Sequence, residues 1–242
     1  MTRLALLGAA VLLLLSACRA GGSSSAGPLN VLAASSLTEV FPKIVPGQRY
    51  DFAGSDDLAT QIEQGAPADV YAAASPKYPD ELYAKGLVEP PKVFATNRLV
   101  LIVPSANPAK IESVADVARP GVKLVIGAEG VPIGDYTRTM LATLGETAAL
   151  ANVVSNETDV KGVVSKVALG EADAGFVYVT DVKPVGGKVR AIPLPGRAQA
   201  KVEYEIAVVK ASKSPEAAKL FVDRVLGPKG QALLKQAGFG LP

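Results

Sequence analysis

The 242-residue chain contains no histidine, no tryptophan, two methionines and a single cysteine. Without histidine there is no Ser-His-Asp or Cys-His nucleophile, no imidazole acid or base, and none of the usual zinc sites. A lone cysteine permits no internal disulfide. An excess of one charge is missing too: 25 Lys and Arg stand against 23 Asp and Glu. That balance gives no electrostatic case for nucleic acid or for a polybasic membrane surface. Aromatic residues make up only 5% of the chain. No Gly-x-x-x-x-Gly-Lys-Ser/Thr phosphate loop, Gly-x-Gly-x-x-Gly fingerprint or Asp-x-Asp-x-Asp-Gly calcium loop occurs. Asp56-Asp57 is the sole hint of a hard cation, and adjacent carboxylates at a helix start more simply complement its dipole.

The N-terminus is informative. Met1-Thr2-Arg3 precedes an apolar run over 4–15 that is too short to span a bilayer as a mature helix. Residues 1–17 therefore read as a secretory signal. The run ends in Leu15-Ser16-Ala17-Cys18, which resembles the bacterial lipobox, whose cysteine is lipidated and becomes the mature N-terminus. An ordinary signal peptide with a chance cysteine is the alternative. Residues 18–28, rich in Gly and Ser, read as a flexible tether. Loss of residues 1–17 removes Arg3 alone and leaves 24 basic and 23 acidic residues. The expectation is an exported protein, anchored to the outer face of the membrane or periplasmic.

Beyond the tether, short apolar runs alternate with helical periodicity. Strands are expected at 31–34, 50–53, 70–74, 99–103, 123–126, 174–179, 189–192 and 202–209, and helices at 37–45, 57–64, 78–85, 133–144, 160–169, 215–226 and 229–236. This alternation predicts an α/β architecture with largely parallel sheets. Ala95-Thr96-Asn97-Arg98 and Lys201-Val202-Glu203-Tyr204 are polar steps before long β-branched strands. Read as crossings, they give one lobe from 29–97 plus 205–242 and a second from 98–204, two doubly wound units with a cleft between them. A single continuous sheet is the alternative.

Five junctions carry chemistry. The strand at 31–34 runs into Ser35-Ser36, and Ser36-x-x-Glu39 fits a capping box, so a helix start with bare N–H groups is expected there. Ser55 follows Gly54 at a second strand–helix turn, where a plain cap is the simpler reading. Pro132 suits a first helical turn and leaves the N–H of Ile133 pointing outward; Asn156-Glu157-Thr158-Asp159-Val160 opens another helix. Tyr178 stands near the end of its strand, placed either to donate its O–H or to pack on a helix. By contrast, Gly65-Ala66-Pro67-Ala68-Asp69 is helix-stop chemistry, with Asp69 expected to bond local backbone.

Together, Ala33-Ala34-Ser35-Ser36-Leu37-Thr38, Gln61-Ile62-Glu63-Gln64-Gly65-Ala66-Pro67-Ala68-Asp69-Val70, Val131-Pro132-Ile133-Gly134, Asp159-Val160, Gly175-Phe176-Val177-Tyr178, Lys201-Val202-Glu203-Tyr204, Leu226-Gly227-Pro228-Lys229-Gly230 and Gly238-Phe239-Gly240 resemble the periplasmic molybdate-binding proteins of bacterial ABC importers, the ModA family. The resemblance implies a type II periplasmic-binding-protein fold, two lobes joined by two hinge crossovers. It implies a monomeric receptor that is not an enzyme, holds no cofactor and no metal beyond the oxyanion, binds molybdate or tungstate, and delivers it to an ABC permease. It places Ser36, Ser55 and Tyr178 as hydroxyl donors and Ile133 and Val160 as backbone N–H donors. Asp56 and Asp57 depart from the Ser, Thr or Gly of many relatives, and are expected to face solvent. A receptor for sulfate or phosphate, a phosphate-ester hydrolase and a sensory module are the competing functions.

Overall fold

In the computed structural model, which describes residues 27–242, the chain builds two sheets in succession and then returns to the first. The signal sequence, Cys18 and most of the tether lie outside the described residues. The first sheet takes β1 (Asn30–Ala34), β2 (Arg49–Ala53), β3 (Val70–Ala73) and β4 (Lys92–Asn97), with α1 (Phe41–Ile44), α2 (Ser55–Glu63) and α3 (Lys77–Ala84) between them. The second takes β5 (Leu99–Pro104), β6 (Leu124–Gly127), β7 (Val153–Glu157), β8 (Ala174–Tyr178) and β9 (Val189–Pro193), with α4 (Pro132–Leu144) and α5 (Val160–Ala168). The chain re-enters the first sheet as β10 (Val202–Val208) and closes with α6 (Pro215–Leu226) and α7 (Pro228–Ala237). Strand orders are β2-β1-β3-β10-β4 and β7-β6-β8-β5-β9.

The sheets are mixed, a correction to the largely parallel expectation. β1 lies parallel to β2 and β3, and β6 to β7 and β8. β10 is antiparallel to β3 and β4, and β5 to β8 and β9. The antiparallel strands are those that enter each sheet from the other lobe. The apolar runs Leu99–Val103 and Ile206–Val208 report burial on both faces but not direction. Arg98 alone separates β4 from β5. The return runs through 194–201, because Val202–Tyr204 already pair with β4, upstream of the 204/205 step read from the sequence.

Two further expectations fail for local reasons. No continuous helix covers 37–45: Ser35–Leu37 form one 3-10 turn and α1 follows separately, with no side-chain cap at either start. Pro42 begins its own helical turn, and the Ser36 hydroxyl is engaged elsewhere, so the capping box does not form. Asp69 does not bond locally. Its carboxylate accepts the Asn30 N–H (2.8 Å) and the Ser212 hydroxyl (2.5 Å), tying β1 to the C-terminal segment. β4 and the half-exposed edge strand β7 were not expected from the sequence.

The core of each lobe is the apolar run of its central strands; Leu99–Val103 and Val70–Ala73 are buried. Burying each Val or Leu contributes about 1.5–3 kcal/mol. A run of tilted and edge-on rings joins the lobes: Phe41 packs on Phe94 and Phe221, and Tyr204 packs on Phe94, Phe239 and Tyr178.

Candidate functional site

The starts of α2, α4 and α5 and the Ser35–Leu37 turn converge between the sheets on a small cavity. Its volume is about 10 Å³, and Ser36, Ser55, Ile133, Val160 and Tyr178 all line it. That is about the room a single water needs, far less than an extended ligand requires. The five residues come from both lobes and are at most 5% exposed.

Each of these five residues offers a donor, for a local reason. At α2, the N-cap is Gly54 and no side chain caps the helix, so Ser55 is freed from the capping role that spacing alone favours. Its Oγ accepts the Ala74 N–H at 3.1 Å, while Tyr71 donates to its carbonyl at 2.6 Å. A backbone N–H can only donate, so the Ser55 proton stays available. Ile133 is the second residue of α4, behind Val131 and Pro132, which supply no cap bond. At α5 the Asp159 carboxylate caps the Gly162 N–H at 2.9 Å, leaving that of Val160. First-turn N–H groups have no partner within their own helix. The Tyr178 hydroxyl is buried and has no hydrogen-bond partner among the described residues. Burial holds the phenols of Tyr178 and Tyr204 well above their ordinary range, so both remain protonated donors.

The charge distribution matches. No lysine or arginine lines the cavity. Lys161, beside Val160, lies 3.2 Å from buried Asp181 instead. Favourable potential for an anion comes from three helix N-termini. Asp159 is the one carboxylate on the lining, with an oxygen turned to its cap bond. Asp57 is exposed, as expected, but Asp56 is not solvent-facing: its Oδ1 is buried without a partner, outside the cavity lining. Burial foremost, then the neighbouring Asp57 and Asp135 charges, raise the Asp56 pKa against the lowering effect of backbone N–H groups. Among the described residues no group of His, Cys, Asp or Glu is placed to hold a metal ion.

The lobes touch around the cavity. Tyr78 donates to the Gly130 carbonyl across the cleft, and Lys77 lies 3.7 Å from Asp135. At Gly54 a Cβ would stand 2.5 Å from the Thr158 carbonyl oxygen, so only glycine permits this approach. A larger groove of about 500 Å³ beside α7 shares Ser36 but carries Lys43, Lys183 and Glu39 at its border; the convergent donors are not there. Sequence reasoning gave no binding role to Asn97 or Tyr204, which flank the two crossings; Tyr204 contacts Ser36, and Asn97 contacts Tyr204. Polar residues at two crossings were the available signal.

The model of the bacterial extracellular solute-binding protein family matches residues 29–240. The chain is 40% identical over 233 residues to the molybdate-binding protein ModA of Mycobacterium tuberculosis, covering 92% of this chain and 88% of the relative. It is 31% identical over 229 residues to ModA of Escherichia coli, covering 88% and 89%. The periplasmic molybdate-binding protein of Azotobacter vinelandii superposes with a TM-score of 0.78 at 24% identity, over 88% of this chain and 99% of that one. The sulfate-binding protein SubI of Mycobacterium tuberculosis gives 0.73 at 19% identity, over 88% and 86%, a likeness of fold. Two lobes, mixed sheets and an interlobe cavity agree with these matches, and the chain belongs to the ModA family of bacterial extracellular solute-binding proteins, which are transport receptors rather than enzymes.

Proposed function

We propose that the protein captures molybdate, and tungstate with it, in the cavity between the sheets and delivers the anion to an ABC permease. The Tyr178 hydroxyl carries the reading. A buried donor without an acceptor costs about 1–3 kcal/mol, and this one lines a cavity on which the hydroxyls of Ser36 and Ser55 and the helix starts at Ile133 and Val160 also converge. A fully ionised tetrahedral oxyanion satisfies such a site, because each of its oxygens only accepts. Ser36, Ser55 and Tyr178 are the hydroxyl donors, and Ile133 and Val160 give backbone N–H groups. Bonds to a charged partner contribute about 1.5–3 kcal/mol each. Sulfate is smaller, so the same donors reach it through longer and weaker bonds. The signal sequence would export this monomeric receptor, and the lipidated Cys18 and the tether would hold it at the outer face of the membrane, within reach of its permease.

Calorimetry of the purified protein with molybdate, tungstate, sulfate and phosphate tests the reading. Binding of the first two in the nanomolar to micromolar range, with sulfate much weaker, is the expected result. Absence of molybdate binding overturns it. Tighter sulfate or phosphate binding would assign the cavity to that anion instead.

A further inference from the structure

Behind Ser36, and away from the cavity, runs a buried chain of polar groups. Ser36 Oγ lies 2.9 Å from the Tyr204 hydroxyl. The Asn97 amide nitrogen lies 3.4 Å from that hydroxyl and 3.0 Å from Thr180 Oγ1. The Arg98 backbone N–H donates to Asn97 Oδ1 at 2.9 Å. All of these side chains are buried within each other's reach, and 168 residues separate Ser36 from Tyr204.

The direction of this chain follows from one group that cannot reverse. A backbone N–H only donates, so the Arg98 contact fixes which end of the Asn97 amide is oxygen. The amide nitrogen then faces Tyr204 and Thr180 as a donor. With its oxygen approached by an N–H, the Tyr204 hydroxyl directs its proton to Ser36 Oγ. Ser36 then accepts from behind, and its own proton turns to the cavity.

We infer that Asn97 and Tyr204 are positioning residues that hold Ser36 in the donating orientation toward the bound anion. The inference deepens the proposed function and rests on it for the ligand. It makes Ser36 a donor in the same way that the Ala74 N–H makes Ser55 one. It also explains why these groups sit where they do. Asn97 is the last residue of β4 before the outgoing crossing, Tyr204 lies just past the return, and Thr180 belongs to the second lobe. The proton on Ser36 is thus oriented from the joint between the lobes, and the serine presents a donor to the ligand.

A double-mutant cycle tests this, with molybdate as the probe in calorimetry and with melting of the anion-free protein in parallel. Ser36→Ala is expected to weaken molybdate on the order of tenfold. Tyr204→Phe keeps the ring and its packing, and is expected to weaken binding several-fold when Ser36 is present and not at all beside Ser36→Ala. Equal effects in both backgrounds would show a merely structural role and overturn the inference. Asn97→Asp replaces the amide donor with an acceptor at nearly constant shape. It draws the Tyr204 proton away, so its effect on molybdate is also expected to depend on Ser36; an undiminished effect beside Ser36→Ala would mean simple charge repulsion. The anion-free melts read the Ser36–Tyr204 bond by itself, as a coupled rather than additive change in Tm. If the melts couple and the parent protein binds no molybdate, the proposed ligand is wrong and the relay stands; additive melts and additive affinities sink the relay alone.

Discussion

Tyr178 separates binding from folding at a single atom. Its hydroxyl is buried and has no partner among the described residues, while its ring packs on Tyr204. Tyr178→Phe therefore removes a group that the anion-free fold must desolvate without compensation. The variant is expected to melt at the same temperature as the parent or higher, and to bind molybdate about tenfold or more weakly, since a bond to a charged acceptor is lost. Joint loss of stability and binding would place the hydroxyl in the fold instead. Glu205 offers a second residue-scale test, away from the cavity. Burial foremost, then Asp80 and Glu203, raise its pKa from 4.5 to about 7, and its Oε2 is buried unpartnered. A carboxyl with a raised folded pKa stabilises below its unfolded value, and that contribution is lost as pH rises through about 7. Glu205→Gln is thus expected to raise Tm at pH 8.5 and to change it little at pH 5; equal shifts at both pH values would remove the titration from the account.

At the scale of elements, the site depends on helix starts left uncapped on the cavity side. Val160 is the first residue of α5, and its N-cap Asp159 is extended, at φ −155° and ψ 174°. Proline suits both conditions, since the first helical position tolerates it and the preceding residue is already outside the helical region. Val160→Pro thus deletes one N–H and keeps the helix. A drop in molybdate affinity of about tenfold is expected, with less than about 1 kcal/mol change in stability measured by denaturant unfolding. Unaltered affinity would show that this N–H does not reach the anion. The element scale is also where the sequence is most and least readable. Helix existence follows from apolar spacing, and the Gly65 and Pro67 stop signals match a helix that ends at Glu63. Strand direction does not follow, because β5 and β10 are buried on both faces and look alike whichever way they run. The turn at Ser35–Leu37 misleads for a related reason: the capping pattern is local, but the Ser36 hydroxyl is taken by Tyr204, far along the chain. The strand–helix junctions of all five lining residues were visible in the sequence. The Tyr178 hydroxyl without a partner and the Asn97–Tyr204 chain depend on long-range packing, so they were not.

For the whole molecule, affinity follows the closed fraction wherever the lobes open and close around the cavity. The sheets are joined at Arg98 and through 194–201, and across the cleft Tyr78 donates to the Gly130 carbonyl while Lys77 faces Asp135. The lysine pair is exposed on both sides, at 48% and 39%, and exposed pairs contribute about 0–1 kcal/mol. The Tyr78 bond is the stronger latch, because its acceptor is a backbone carbonyl and the tyrosine as a whole is 9% exposed. Tyr78 does not line the cavity, so it acts on every anion through closure alone. When only the closed fraction binds, the apparent Kd is the intrinsic value divided by that fraction. Losing one neutral hydrogen bond, about 0.5–1.5 kcal/mol, lowers the closed fraction of a protein that is mostly open by roughly 2- to 12-fold. Tyr78→Phe is expected to raise the Kd for molybdate and tungstate by one common factor in that range, with their ratio unchanged in calorimetry. Small-angle scattering of the anion-free variant should show a larger radius of gyration than the parent, and saturating molybdate should bring the two together. A change in the molybdate-to-tungstate ratio would contradict this, because it would mean that Tyr78 shapes the cavity itself and that closure and recognition are not separable in this protein.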